Sequence, residues 1–182
     1  MPGTLRTNDR EVDPVEPRDT FIELFERIDQ HVAQVVDGLD AEQLHWTPAP
    51  GTNSIGWLVW HLTRVQDSHV AELLHDEQVW VTGDHAARVG VDADPANSGY
   101  GHSAAEATAI RPDGSGALLD YYEAVADRTR GLLESLDAER LDEIVDRRWD
   151  PPVTLGARLV SIADDDIQHA GQAAYLRGLL PG

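Results

Sequence analysis

Apolar residues return every three or four positions along four long stretches of this chain, and that period predicts four helices. The first begins near Thr20, where Thr20-Phe21-Ile22-Glu23 fits a capping box. It carries Phe21, Leu24, Phe25, Ile28, Val32, Val35 and Val36 on one side before Gly38. The second begins at Asn53 or Ser54 and runs to about Leu74, with Leu58, His61, Leu62, Val65, His69 and Leu73 as its stripe. The third runs from about Ala117 to Leu136 through Leu118, Tyr121, Tyr122, Val125, Leu132 and Leu133. The fourth opens on Thr154 as N-cap after Pro151-Pro152 and reaches Leu180. Leu155, Leu159, Ile162, Asp166, His169, Ala173, Leu176 and Leu180 share its face. No stretch sustains the alternation of a half-buried strand. Four amphipathic helices with one shared core predict an all-α four-helix bundle.

The connections add two features. Leu39-Asp40-Ala41-Glu42-Gln43-Leu44 follows the first helix, and Leu136-Asp137-Ala138-Glu139-Arg140-Leu141 follows the third. Each leads through a proline-containing loop into a histidine-bearing helix, which suggests two helix pairs with related connections or one helix-end motif used twice. The second and third helices are joined by a long segment, about Gln78 to Gly116, rich in Gly, Asp, Asn and Pro. It must cross the bundle or cover one end of it, so it is a candidate lid. Within it Ser103-Ala104-Ala105-Glu106 is a second capping-box candidate and predicts a short helix. Residues 1–18, with Pro2, Pro14 and Pro17, read as a loose leader, and residues 19–182 as one bundle domain.

Charge and cysteine content narrow the chemistry. The formal net charge is −19, which opposes binding to a nucleic-acid backbone or an anionic membrane and favours solubility. With no cysteine there is no disulfide, no thiolate ligand and no cysteine nucleophile. No apolar run approaches the ~20 residues of a membrane span. No hydrophobic segment resembles a secretion signal, so the cytoplasm is the expected location. The chain has no lysine for a phosphate loop and no Gly-x-Ser-x-Gly elbow. Asp92-Ala93-Asp94 begins like a calcium loop, but Ala96 falls where the third ligand belongs.

Histidine and aspartate on apolar helix faces are the remaining lead, because such groups cost free energy unless something satisfies them. Asp165 and His169 lie four residues apart on the fourth helix, so both side chains share one face a turn apart. His61 faces the same core from the second helix, flanked by Trp57, Leu58, Leu62 and Val65. Two imidazoles and a carboxylate suit a divalent metal and leave positions open for water or substrate. Asp165 is the preferred carboxylate ligand; Asp166 is the alternative, or supports the site from behind. The competing reading makes Asp164–Asp166 a solvated acidic run and His169 a core histidine bonded to Asp165. His69, two turns beyond His61 (~12 Å), is too far to share that metal and could orient a substrate or bond Asp67 or Glu72. His102, in Ser98-Gly99-Tyr100-Gly101-His102, sits in the proposed lid as a candidate contact for a bound cosubstrate. His31, His45, His75 and His85 read as surface or loop residues.

Two of these segments resemble a known superfamily. Asn53-Ser54-Ile55-Gly56-Trp57-Leu58-Val59-Trp60-His61-Leu62 is similar to the second-helix motif of the DinB/YfiT-like superfamily, and Asp165-Asp166-Ile167-Gln168-His169-Ala170-Gly171-Gln172 to its fourth-helix motif. The resemblance runs from about Asp19 to Leu180. It implies a four-helix bundle with a long crossover between helices two and three. It also implies a divalent metal, commonly zinc or nickel, held by His61, Asp165 and His169. The first member of the helix-four pair is often His, or Glu in the mycothiol-dependent maleylpyruvate isomerase branch; here it is Asp. The activity so implied is a thiol S-transferase or isomerase using a low-molecular-weight thiol such as mycothiol, with a small electrophile as second substrate. Homodimers are common among such proteins. A non-catalytic metal- or small-ligand-binding stress-response protein is the alternative, and a metal-free helical dimerisation module the third.

Overall fold

The computed structural model describes residues 15–181, so most of the leader assigned to residues 1–18 lies outside the described residues. Among the described residues four long helices pack around one core: α1 (Pro17–Val36), α3 (Ile55–Leu74), α7 (Ser115–Glu134) and α8 (Leu155–Arg177). Shorter helices fill the connections: α2 (Ala41–His45), α4 (Val79–Thr82), α5 (His85–Val89) and α6 (Ala104–Ala109). The all-α bundle expected from the period is the observed fold.

The helix ends differ from expectation where a local signal was outweighed. α1 starts at Pro17, a turn before Thr20, because proline's fixed φ suits the first helical position and its missing N–H costs nothing there. Thr20 is therefore inside the helix and caps nothing. α8 opens on Thr154 as expected, its side chain accepting from Ala157 N, but stops at Arg177 with Gly178 as C-cap, short of Leu180. Ser54 caps α3 by accepting from Trp57 N. The box at Ser103 and Glu106 forms and starts α6, while α4 and α5 had no clear sequence signal. The repeated Leu-Asp-Ala-Glu segments begin alike and then part. Asp40 and Gln43 close a full capping box on α2, whereas Asp137 accepts from Arg140 N and the turn continues only as a 3-10 helix, Arg140–Asp142. A small antiparallel hairpin, β1 (Ile144–Asp146) with β2 (Val153–Thr154), follows, unforeseen from a pattern too short to alternate.

Cross-helix pairs give the directions. Tyr121 meets Arg64 and Asp67, whereas Arg128 reaches Asp76 and Glu77, so α3 and α7 advance together and run parallel. His61 lies against His169 and His69 against Arg158, so α8 runs antiparallel to α3. Tyr122 bonds Asp29 and Arg130 bonds Glu26, so α1 is antiparallel to α7. Two parallel neighbours, α3 and α7, require a connection that returns the chain to its starting end. Residues 75–114 are that connection. They pass over the outer side of α3, and every residue from Ile55 to Arg64 is buried as a result. The single stripe expected of this helix is thus replaced by burial all round its first half, while Val65, His69 and Leu73 are only half-buried.

The hairpin is tied to α8 by charge. Asp146, 4% exposed, accepts from Arg148 Nη2 at 2.8 Å and from Arg158 Nη2 at 2.9 Å. The bonds from Arg148, more than the charge of Arg158, hold this carboxyl far below the usual carboxylate range. A folded-state pKa below the unfolded one contributes stability that is complete above the ordinary aspartate pKa, about 3.9, and is lost on further acidification. Asp146→Asn should therefore melt below the parent protein at pH 7. The gap, followed by thermal melts from pH 7 to 2, should hold steady down to about pH 4 and narrow progressively below it; a gap of constant size throughout would show that the carboxylate contributes nothing through its charge.

Candidate metal centre

His61 comes from the buried half of α3, and Asp165 and His169 come from α8, the helix with which α3 makes its most extensive contact. One ligand atom from each of the three residues lies within 4.8 Å of the others. The i,i+4 step on one helix and a single histidine on its antiparallel neighbour suffice to bring them together.

The tautomers are set by backbone carbonyls. His61 Nδ1 lies 2.5 Å from the Ser98 oxygen, and His169 Nδ1 lies 2.8 Å from the Asp165 main-chain oxygen. A carbonyl can only accept, so in the neutral ring each Nδ1 carries the proton and each Nε2 keeps its lone pair. Asp165 Oδ2 is 3.4 Å from His169 Nδ1, which is already committed to the carbonyl, and this buried oxygen has no hydrogen-bond partner. Two free imidazole nitrogens and an orphaned carboxylate oxygen are what a divalent cation would satisfy. Tetrahedral zinc, with bonds near 2.0–2.1 Å, has donors about 3.4 Å apart, and the three here lie within 4.8 Å of one another. The residues present therefore fit a metal.

Burial holds the His61 imidazole below its ordinary pKa, against the pull of the Ser98 carbonyl. His169 is also pulled down by burial, but the Asp165 side chain and main-chain oxygen outweigh this and raise it above its ordinary value. The three successive aspartates meet different fates. Asp164 is exposed and accepts from Gln168 Nε2 at 2.8 Å. Asp165 edges the site. Asp166 is fully buried, with neither oxygen bonded, and burial first, then the charges of Asp165 and Asp29, push its carboxyl well above the carboxylate range. Its neighbours Asp29 and Tyr122 belong to α1 and α7, so it projects across the bundle and is not the alternative ligand the sequence left open.

The long connection covers the site. Trp57 stacks on His61 with ring centroids 4.6 Å apart, and its Nε1 donates to His102 Nδ1 at 3.2 Å. His102 Nε2 lies 2.8 Å from Asn97 Oδ1, and its ring stacks on Trp60. Both nitrogens of His102 are thus engaged within the covering loop. Gly99 adopts φ +90°, and a Cβ there would lie 2.9 Å from His61 Nδ1 and 2.8 Å from Trp60, so only glycine lets the loop approach this closely.

The other histidines stand apart. His69 is half-buried beside Arg158 Nη1 at 3.2 Å; of the two partners named for it, Glu72 lies 3.9 Å away and Asp67 is bonded elsewhere. His45 is half-buried with Nε2 unpartnered, and His85 packs on Tyr121 at 5.0 Å, so neither is the simple surface residue expected. His31 and His75 are exposed. The sequence reading missed Arg64, Asn97 and Ser98. An arginine inside an apolar helical run, three residues before an aspartate, was the one available signal.

The model of a family described as mycothiol-S-transferase, of the DinB/YfiT-like type, matches residues 20–182. A crystal structure of the conserved protein of locus from Enterococcus faecalis is similar, with TM-score 0.82 and 28% identity, covering 91% of this chain and 98% of that one. No curated protein matches.

Asp165 dominates the upward pull on His169. In metal-free protein, Asp165→Asn should move the His169 titration to lower pH, as read by NMR of the ring signals. An unchanged midpoint would mean that the carboxylate does not face this ring.

Proposed function

The chain belongs to the mycothiol-S-transferase family, and from that premise we propose that it is a divalent-metal-dependent S-transferase or isomerase acting with a low-molecular-weight thiol such as mycothiol. The observation that carries the metal is the convergence of His61, Asp165 and His169 around a buried oxygen with no partner. In this reading His61 and His169 hold the cation through Nε2 and Asp165 through a carboxylate oxygen, with zinc or nickel suited to the donor set. Such a cation supplies a Lewis acid that lowers the pKa of a thiol brought to it.

The chain's own residues do the rest. Nδ1 of each histidine, held by a carbonyl, keeps its ring aimed and its tautomer single. Trp57 packs flat on His61 and excludes water from that side. The chain has no cysteine, so the reacting sulfur is the cosubstrate's and no protein thiol competes for the cation. Asp165 is shorter than the glutamate of related sites, yet its Oδ2 is already buried beside His169. His102 is held by Trp57 and Asn97, so it acts on a bound thiol through the loop it pins. No helix among the described residues is long and apolar enough to cross a membrane, and the small electrophile would arrive from solution. A homodimer in the cytoplasm belongs to the same proposal.

Purified protein should bind one zinc or nickel ion per chain. His61→Ala should lose that ion and with it the conjugation of mycothiol to a bimane electrophile. With metal present, mycothiol should raise the melting temperature. Protein that binds the ion but gives no thiol-induced shift and no adduct would be a metal-binding protein without this activity. Protein that binds no ion would end the proposal.

A further inference from the structure

Arg64 is the charged residue least explained by the site so far. Its side chain is entirely buried, one turn of α3 beyond His61, with its guanidinium over the Trp80 ring at 5.1 Å. Five acceptors surround it. Nη1 donates to Tyr121 Oη at 3.0 Å and to Asp67 Oδ2 at 3.3 Å. Nη2 donates to Gln78 Oε1 at 2.8 Å and to the Pro95 carbonyl at 3.1 Å, and Nε donates to the Asn97 carbonyl at 3.0 Å. Burying an arginine is costly unless all its donors are used, and here two of them end on the backbone of the covering loop.

Neutralising Asp67 does not account for this placement. Asp67 already accepts from Val79 N at 2.9 Å, Trp80 N at 2.9 Å and Tyr121 Oη at 2.8 Å. The face of the guanidinium that carries Nε and the second Nη2 bond looks at the loop. The next carbonyl after Asn97 is Ser98, the one that meets His61 Nδ1. The following residue is Gly99, whose backbone passes the rings of His61, Trp60 and Trp57 too closely for any side chain. Arg64 and His61 are thus joined twice, by one turn of helix and by two residues of loop.

We propose that Arg64 is a positioning residue for the metal centre: its buried guanidinium clamps the loop backbone at Pro95 and Asn97, so that the Ser98 carbonyl fixes His61 with Nε2 free to bind. This rests on the metal reading for its purpose, though not for its geometry. Lysine cannot replace the clamp, because a single ammonium lacks the planar fork that reaches Asn97, Pro95 and Gln78 at once.

Arg64→Lys keeps the positive charge beside Asp67 and removes the fork. Its test is the His61 tautomer in metal-free, nitrogen-15-labelled protein, together with zinc affinity measured against a chromophoric chelator. The parent protein should show the proton on Nδ1 alone. Arg64→Lys should show a mixture of tautomers and a zinc dissociation constant ~10–100-fold higher, the range for losing an orienting partner of a ligand histidine. Gly99→Ala, which lifts the same loop without touching the buried charge, should give the same signature and carries the test if the lysine variant does not fold. The proposal is overturned if folded Arg64→Lys keeps the parent tautomer and affinity, whatever Gly99→Ala does. It is equally overturned if the lysine variant does not fold and Gly99→Ala leaves the tautomer as in the parent. If the parent binds no zinc, the metal reading fails, while the tautomer comparison still decides whether Arg64 positions His61.

Discussion

The bond between His61 Nδ1 and the Ser98 carbonyl joins a bundle helix to the segment that wraps it, and the site depends on that union. On one side stands α3, antiparallel to α8, which brings His61 opposite Asp165 and His169. On the other stands a long excursion that exists because α3 and α7 run parallel. A short loop cannot join parallel neighbours, so the chain has to travel back along the bundle. The length spent on this return is what covers His61, Trp57 and Trp60, and it turns the outer side of the helix into buried surface.

Covering a helix with irregular chain creates a polar accounting problem. Loop carbonyls come to rest against buried surface, where each needs a donor. Arg64 supplies donors to two of them and His61 to a third, while Trp57 and Asn97 satisfy the two nitrogens of His102. The same bonds that make the loop affordable leave an imidazole with one nitrogen unused. Structural satisfaction and ligand preparation are in this sense one event. Asp165 Oδ2 is a buried acceptor in the site that no protein group hydrogen-bonds, and Trp60 Nε1 is likewise a buried donor without a partner.

A second strain lies behind the site. Asp166 is buried without any partner, one residue from Asp165, and it faces Asp29 and Tyr122 across the bundle. Burial of a bare carboxylate would be prohibitive, and the upward shift of its pKa is the usual escape into the neutral form. The α8 segment that carries the site therefore has acidic groups on three sides: one wet, one at the site, one in the core. A helix turns by ~100° per residue, so three successive aspartates cannot share a role.

The four long helices were legible because an apolar face repeats at the helical period, and so were the starts of α3, α6 and α8, because Ser54, Ser103 and Thr154 bond their own first turns. Asp165 and His169 could be paired from spacing alone, since one helix fixes both. His61, which alone on an apolar face would read as a core histidine, could be added because it faces the same core and completes a set of two imidazoles and one carboxylate. Direction and neighbourhood were not legible. The inward turn of Asp166 followed from its place on the apolar face of the fourth helix, but nothing local says that α7 runs parallel to α3 or that His69 meets Arg158. The role of Arg64 depends on the loop laid over it, whose Pro95 and Asn97 carbonyls lie more than thirty residues further along the chain. Periodicity and caps are properties of a few adjacent residues, and the sequence carries them whole. Which polar group meets which across the core depends on contacts between segments dozens of residues apart, and only the packed chain decides those.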